Sequence, residues 1–403
     1  MIDRNQFMRK IRPFIGTDVI KVITGLRRCG KSIFLEQIKK EITKLHGDDS
    51  TIVSFNLEDD ENEKFLKKGV LYDHVNRILK KNPKKKVYIF LDEIHDVEGW
   101  ERCVNSLRLR KNADLYITGS NSKLLSGELA TYLTGRYVEI KMTPFSFPEF
   151  LEATDSSDKK SDLEQRFFRY LDFGGFPFLS HIGYDPEASK DYLKDLYGAI
   201  LLKDVVRRKK IRDVDLLDRI VRYVMNETGH AFSARSISDF FKSEKRIVAP
   251  ETVLNYISAC EEAFLFSRVK RQDLIGKRIL AVDEKYYVSD LGLRRAVIGG
   301  RIAKDIDIAL ENAVYAELIR RGYDVTIGRV RNKEIDFVCD KDGERSFIQV
   351  SYLLASDETK AREYGAFDLI KSRGKRILLT MDRLDMSTDE VEHHYIPDWL
   401  TTY

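Results

Sequence analysis

Residues 25–32 read Gly-Leu-Arg-Arg-Cys-Gly-Lys-Ser, which fits the pattern G-x-x-x-x-G-K-[ST]. A short run rich in β-branched residues precedes the motif at 19–24, and apolar residues at helical spacing follow it over 33–42. Strand, glycine-bearing loop and helix in this order direct backbone N–H groups at phosphate oxygens. The motif therefore predicts a nucleotide-binding P-loop in an α/β domain whose parallel sheet is flanked by helices.

The predicted loop supplies backbone and side-chain contacts to a nucleotide. Gly25 and Gly30 allow the backbone to curl, and Lys31 is expected to reach the β and γ phosphates. Ser32 is expected to bind Mg2+. Because no Asn-Lys-x-Asp motif follows, GTP is disfavoured, and the predicted ligands are ATP and Mg2+. The residues predicted to contact the nucleotide are Gly25, Leu26, Arg27, Arg28, Cys29, Gly30, Lys31, Ser32 and Ile33.

A pair of carboxylates follows a second apolar run, at 87–91. A run without alternation is typical of a central parallel strand, which would deliver Asp92 and Glu93 at its carboxyl end. Asp92 is predicted to bind Mg2+, and Glu93 to polarise the attacking water. The alternative is an acidic pair that caps a helix after a buried strand. With the P-loop upstream, the pair favours hydrolysis over binding alone and makes a kinase a weaker interpretation.

Three further residues are candidates for assisting the reaction. Thr118 and Asn121 end a third predicted strand, where they could contact the γ phosphate or the water, or else cap a helix. Arg136 follows a glycine turn before the predicted strand at 138–142 and could act as an arginine finger, or as a surface or ion-pairing residue. A finger supplied to a neighbouring subunit would require a homo-oligomer.

These motifs together resemble a prokaryotic AAA-type ATPase family that is similar to the signal-transducing ATPases with numerous domains. The resemblance is carried by residues 25–32, 91–95, 99–101, 118–120, 133–136 and 144–150. It implies an ATPase domain at 1–153, a helical segment at 163–213, a winged-helix-like module at 214–300 and a restriction-endonuclease-like domain at 301–403. It also implies a Gly-Gly-x-Pro turn at 174–177, for which we expect a packing or hinge role.

Composition predicts a multidomain cytoplasmic protein. The chain has 403 residues, a net charge of +4, no apolar run of membrane-spanning length and no apolar signal-peptide core at its start. Cys29, Cys103, Cys260 and Cys339 are scattered without a Cys-x-x-Cys motif, which disfavours zinc and disulfides. We therefore expect reduced thiols and no membrane partner.

Local charge runs leave the macromolecular partner open. Basic runs lie at 80–86 and 203–212, and each is either a solvated surface or, if both face one groove, a phosphate-binding surface. The third helix of the winged-helix-like module, at 251–262, has no Lys or Arg, which disfavours base reading. Cations of the predicted wing could still contact DNA: Lys270, Arg271, Lys277 and Arg278.

The C-terminal domain resembles a nuclease that has lost part of its active site. Glu311, Glu317 and Asp336 are the residues that would carry metal-dependent cleavage. Gln349 stands where such nucleases have an acid, and Ser351 where they have a lysine. We therefore predict an ATP hydrolase that acts as a conformational switch on a protein or nucleic-acid partner. The alternative is an ATP-dependent DNA-processing enzyme in which this domain cuts.

Overall fold

The computed structural model describes residues 2–47, 50–122, 135–154, 162–276, 278–300, 304–331 and 333–402. The chain forms two compact units: Met1–Thr143 with Glu262–Phe264, and Pro144–Glu261 with Leu265–Tyr403. Within the described ranges, no helix has both the length and the apolar character needed to cross a membrane. Most of the predicted polar boundary at 154–162 falls outside the described residues.

The first unit is built on a five-stranded parallel sheet in the order β2-β3-β4-β1-β5, which confirms the predicted parallel α/β architecture. Its strands are β1 (Ile20–Gly25), β2 (Ser50–Asn56), β3 (Lys86–Asp92), β4 (Ala113–Gly119) and β5 (Tyr137–Met142). Its helices are α1 (Asn5–Ile11), α2 (Lys31–His46), α3 (Val70–Lys81) and α4 (Trp100–Arg108).

Burial explains which segments become the central strands. Every residue of β1 and β4 is buried, as is all of β3 after its first residue. These strands are therefore largely apolar, except for the buried Lys21 of β1 and Asp114 of β4. The helices instead bury one stripe; in α3 it consists of Leu71, Val75 and Leu79, four residues apart. The predicted strands around 19–24, 87–91, 115–117 and 138–142 are therefore confirmed.

One ion pair lies inside this core. Lys21 of β1 donates to Asp114 of β4, and both side chains are fully inaccessible. Asp114 also accepts from the Gly16 N–H at 2.7 Å and from the Tyr116 hydroxyl at 3.0 Å. Burial lowers the pKa of Lys21, and Asp114 opposes that shift. The pair therefore neutralises two charges within the sheet.

The second unit contains a mixed seven-stranded sheet in the order β12-β11-β10-β9-β8-β6-β7. Its strands are β6 (Phe266–Asp273), β7 (Arg278–Val288), β8 (Asp324–Val330), β9 (Lys333–Lys341), β10 (Glu344–Val350), β11 (Lys375–Thr380) and β12 (Glu392–Tyr395). Its helices are α5 (Phe147–Thr154), α6 (Leu163–Phe173), α7 (Pro186–Ala199), α8 (Val214–Asn226), α9 (Ala234–Ser243), α10 (Pro250–Glu262), α11 (Leu291–Ile298), α12 (Ile306–Arg320), α13 (Asp357–Phe367) and α14 (Ile396–Thr401). A π-helical segment, Ile200–Val206, and the short helix Arg207–Lys209 continue α7.

Helix α5 lies within the predicted ATPase domain, 1–153, but its contacts assign it to the second unit, which begins at Pro144; the domain boundary at 153 stays a prediction. The reason for this assignment is aromatic packing. Phe147 lies 5.1 Å from Phe167 between ring centroids, and Phe150 lies 4.9 Å from Tyr184. These contacts bury the apolar side of α5 against α6 and the segment that follows it.

The hairpin β6–β7, predicted as the wing of a separate module, continues the C-terminal sheet. Strand β6 pairs in parallel with β8, with Arg271 opposite Ile327. The predicted boundary at residue 300, between the winged-helix-like module and the C-terminal domain, therefore does not separate two sheets. Arg271 is buried and lies 3.5 Å from Glu334, so it is not an exposed wing cation. Lys277 lies outside the described residues, as does the side chain of Arg278.

The Gly-Gly-x-Pro turn at 174–177 is tightly packed within the second unit. A Cβ on Gly174 would lie 2.2 Å from a carboxylate oxygen of Asp290, and one on Gly175 would lie 2.2 Å from the carbonyl oxygen of Phe145. The Gly175 N–H donates to Asp290 at 2.7 Å, and the Leu293 N–H of α11 donates to it at 2.8 Å. Because neighbouring atoms leave no space for a Cβ at either position, both residues must be glycine, which favours the packing role of the turn.

Candidate nucleotide-binding site

The loop between β1 and α2 has the backbone shape that the motif predicts. Gly25 ends β1 with φ +145°, and a Cβ there would lie 2.3 Å from the carbonyl oxygen of Met142. Gly30 precedes α2 with φ +102°, and Arg28 also adopts a positive φ, of +65°. No side chain among the described residues caps the first turn of α2. The amides of that turn are thus left for another acceptor.

Lys31 lies at the base of this loop and is 5% exposed. Its Nζ donates to the carbonyl oxygens of Gly25 at 3.2 Å and Leu26 at 3.4 Å, and lies 3.6 Å from Glu93 Oε1. The structure therefore brings the P-loop ammonium and the Glu93 carboxylate together, although 62 residues separate them in the sequence.

The other loop residues differ in accessibility. Ser32 and Ile33, in the first turn of α2, are exposed, as is Arg28. Arg27 donates to Glu58 at 2.9 Å, while Leu26 is buried. Cys29 is also buried, its Sγ lies 3.8 Å from the Met142 carbonyl oxygen, and burial raises the pKa of its thiol. A buried, protonated thiol is unreactive, so Cys29 acts as a packed residue.

Asp92 and Glu93 follow β3 at the carboxyl edge of the sheet, and Thr118 of the adjacent β4 links them. The Thr118 hydroxyl donates to Asp92 Oδ1 and accepts from the Glu93 N–H at 2.8 Å. Thr118 is fully buried, and both hydrogen-bonding functions of its hydroxyl are used. In this arrangement Thr118 holds the two carboxylates in place, in contrast to the predicted contact with phosphate or water.

Among the described contacts of the Glu93 carboxylate are those with Ser120, His95 and Lys31. The Ser120 N–H donates to Oε2 at 3.2 Å, His95 Nδ1 lies 3.2 Å from the same oxygen, and Lys31 faces Oε1. Glu93 itself has a positive φ of +53°. The backbone strain and the contacts fix one orientation of this carboxylate. Asn121 is buried near the end of β4.

Arg4 is a site residue that sequence reasoning missed. It is 3% exposed, and its guanidinium donates to the carbonyl oxygens of Cys29 at 3.1 Å and Thr143 at 2.7 Å. Its N–H donates to Gln37 of α2 at 3.1 Å. Arg4 therefore ties the N-terminal segment to the P-loop and to the end of the first unit. The sequence gives no signal that distinguishes Arg4 from the nearby Arg9 and Arg12.

The structure places Arg136 at the edge of the sheet opposite the P-loop. The Ile20 N–H donates to its carbonyl oxygen at 3.0 Å, and β1 pairs with β5 so that Ile20 faces Tyr137 while Gly25 faces Met142. The P-loop thus begins about 16 Å further along β1, beyond the reach of an arginine side chain. Arg136 therefore lies away from the P-loop of its own subunit, and its role as an arginine finger stays a prediction. Leu133 and Thr134 lie outside the described residues.

The second unit joins two of the three predicted nuclease residues. Lys285 of β7 lies 2.9 Å from Glu311 and 2.7 Å from Glu334, and the Tyr287 hydroxyl donates to Glu311 at 2.6 Å. Burial is the largest cause of a raised pKa at Asp336, and the charge of Glu311 is the second. The ammonium of Lys285 shifts this pKa in the opposite direction. A buried ammonium therefore lies among the carboxylates.

Gln349 and Glu317, also named in the nuclease prediction, form hydrogen bonds and ion pairs with other residues. The side chain of Gln349 accepts from the Asp336 N–H at 2.7 Å and donates to Glu363 at 3.0 Å. Glu317 pairs with Arg320 and Arg321, so the prediction that it belongs to the cluster is wrong. Across the described part of the chain, no group of three or more His, Cys, Asp or Glu could hold a metal ion. The relation to restriction-endonuclease-like proteins stays a prediction.

Comparison with known proteins agrees with the geometry of the first unit. Residues 17–151 match the family described as "AAA domain", and residues 164–302 match a domain of unknown function. An uncharacterised protein of Haemophilus influenzae is 35% identical over 401 residues, covering 99% of this chain and 98% of its own length. This chain belongs to the same family. An uncharacterised protein of Methanocaldococcus jannaschii is 31% identical over 365 residues, covering 87% of this chain and 78% of that protein.

A solved structure supports the fold. A Walker-type ATPase of Pyrococcus abyssi superposes with a TM-score of 0.50 at 12% identity, covering 74% of this chain and 96% of that one. At this identity the likeness concerns the fold. This family member therefore has an AAA domain with a P-loop at its first strand, followed by a region whose match carries no known function.

Proposed function

We propose that this protein is a Mg2+-dependent ATP hydrolase whose nucleotide state acts as a conformational switch on a protein or nucleic-acid partner. The observation that carries the proposal is the meeting of Lys31 with Asp92 and Glu93 at one edge of a parallel sheet. An uncapped helix N-terminus begins at the same place. A cation, two carboxylates and free amides together suit a phosphate chain with its metal.

The residues fit ATP and Mg2+. The free amides at the start of α2 suit phosphate oxygens, and the exposed Ser32 hydroxyl and the Asp92 carboxylate are oxygen ligands of the kind Mg2+ prefers. Bound Mg2+ would neutralise charge that develops on the phosphates. Lys31 would have to leave Glu93 to reach the β and γ phosphates, which makes the Lys31–Glu93 contact a feature of the protein without nucleotide.

Glu93 is the residue that would accept a proton from the attacking water. The Ser120 N–H and His95 lie against Oε2, so they would orient the carboxylate as Lys31 departs. Thr118 would hold Asp92 and the Glu93 backbone at a fixed separation. The chemistry of the chain is thus binding, orientation and the holding of one proton at a carboxylate oxygen.

Arg4 would connect the P-loop to the proposed conformational switch. Its guanidinium bonds both the P-loop carbonyl of Cys29 and the carbonyl of Thr143, the last residue of the first unit before Pro144. A shift of the loop on nucleotide binding would change one of these two hydrogen bonds and so affect the other. Arg4 would thereby transmit the state of the loop to the point where the second unit begins.

The test is ATP hydrolysis and ATP binding by the purified chain with and without Mg2+. Lys31→Ala is expected to lose both properties, whereas Glu93→Gln is expected to bind ATP and lose hydrolysis. Lys40→Ala, an exposed cation on the same helix, is the matched control and is expected to behave like the wild type. Hydrolysis that survives Lys31→Ala would contradict the proposal.

A further inference from the structure

Two segments of the first unit carry a high density of positive charge. Residues 74–86 contain six Lys and Arg, residues 102–113 contain four, and neither segment contains Asp or Glu. Strands β3 and β4 begin at the ends of these segments, at Lys86 and Ala113. Since the candidate nucleotide site lies at the carboxyl ends of the same strands, the charge is concentrated at the opposite edge of the sheet.

Hydrogen bonds join the two segments into one surface. The side-chain amide of Asn112 donates to the carbonyl oxygens of Leu79 at 3.0 Å and Asn82 at 2.9 Å. The Val87 N–H donates to the carbonyl oxygen of Asn112 at 2.8 Å. The loops after α3 and α4 therefore hold each other in a fixed arrangement. We call five exposed cations at the end of α3 and in the loops after α3 and α4 the basic edge: Lys80, Lys81, Lys84, Arg110 and Lys111.

The described residues leave the positive charge of the basic edge without a paired carboxylate. Arg110 donates to the Tyr72 hydroxyl at 2.7 Å, which is a neutral partner. In the described part of the chain, none of the five cations forms an ion pair. Of the carboxylates near the same end of the sheet, Asp114 is buried with Lys21, and Asp18 is exposed before β1. Five like charges held close together create a positive potential that attracts a polyanion.

The composition of the surface decides the class of partner. Protein interfaces are depleted in lysine and enriched in aromatic residues, whereas the basic edge is four-fifths lysine. Beside the basic edge, Leu109 is a large apolar side chain that is 67% exposed. A nucleic-acid duplex presents one phosphate charge per about 1.7 Å of its axis, which suits a row of point charges. We infer that the basic edge binds the phosphate backbone of double-stranded nucleic acid, without reading its sequence.

Binding of a duplex at the basic edge takes place at a distance from the candidate site of ATP hydrolysis. Strand β3 spans the distance from Lys86 at the basic edge to Asp92 at the candidate nucleotide site, about 20 Å for its length. A duplex at the basic edge would therefore not contact Lys31. The second basic run, at 203–212, belongs to the other unit and is not needed for the binding.

The experiment is fluorescence anisotropy of a labelled DNA duplex of arbitrary sequence, about 20 base pairs long, titrated with the full chain over a salt series. The basic-edge variant combines Lys81→Gln, Lys84→Gln, Arg110→Gln and Lys111→Gln. The control variant removes the same charge from exposed cations elsewhere on this unit: Arg9→Gln, Lys40→Gln, Lys67→Gln and Lys68→Gln. Thermal midpoints establish that both variants are folded. Lys31→Ala tests independence from the nucleotide site.

We expect the wild type, the control variant and Lys31→Ala to bind the duplex with a steep dependence on salt. The basic-edge variant is expected to bind more than about 10-fold more weakly, and its slope of log K against log salt is expected to fall by about 3.6, since it lacks four phosphate contacts and each one removes about 0.9. Equal losses in both variants, or wild-type affinity in the basic-edge variant, would overturn the inference. Binding to anionic vesicles or polyglutamate in preference to the duplex would overturn it as well.

Discussion

Replacing Thr118 by valine should separate a positioning role from a contact with nucleotide. Valine has nearly the same shape, so no cavity forms, but both hydrogen bonds of the hydroxyl are lost. The bond to the Asp92 carboxylate contributes about 1.5–3 kcal/mol, and the buried Glu93 N–H left without a partner costs about 1–3 kcal/mol. Allowing for relaxation, we expect the first unit to lose about 3 kcal/mol.

Thr118→Ser is the matched control. Serine keeps the hydroxyl and loses one methyl group from a fully buried site, which costs about 1 kcal/mol. The two substitutions should therefore differ by about 2 kcal/mol, a difference that urea denaturation resolves.

The assay uses the two tryptophans of the chain. Trp100 lies in the first unit and Trp399 in the second, so a Trp399→Phe background makes the fluorescence report on the first unit alone. ATP hydrolysis by Thr118→Val should fall with its stability, because Asp92 and Glu93 lose their common support. If Thr118→Val unfolds at the same urea concentration as Thr118→Ser, the hydroxyl does not hold the carboxylates and the reasoning is refuted.

Three further predictions concern other contacts. Arg4→Met should weaken ATP binding, measured with a fluorescent nucleotide, and Arg4→Lys should restore it in part; unchanged affinity in both would exclude coupling to the P-loop. Burial raises the pKa of Asp290 from its usual 3.8 to about 7, so the folded chain binds the proton more tightly than the unfolded chain, and stability should fall as pH rises from about 4 to about 7, by at most about 4 kcal/mol. Urea denaturation across that pH range should show the slope in a Trp100→Phe background, and Asp290→Asn should reduce it; an equal slope in that variant would assign it to another group. If Arg136 serves a neighbouring subunit, specific ATPase activity should rise with protein concentration in the wild type and stay flat in Arg136→Ala, whereas a flat wild-type profile would argue against that role.

Local sequence determined the nucleotide loop and the elements around it. The P-loop at 25–32 and the strand before Asp92 were predicted because their signals are short-range: glycine spacing, a Lys-Ser pair and unbroken apolar runs. Helix α6, Leu163–Phe173, begins where the predicted helical segment at 163–213 begins, and Asp162 caps its first turn.

Only the tertiary structure decided which of these residues meet. Parallel register carried Arg136 to the far edge of the sheet, because Ile20 pairs with Tyr137. The pairing of β3 with β4 brought Thr118 between the carboxylates, and a contact across 25 residues placed Arg4 against the P-loop. Strand order likewise merged the hairpin β6–β7 with the C-terminal sheet. Register and strand order depend on contacts between distant segments, which local periodicity does not encode.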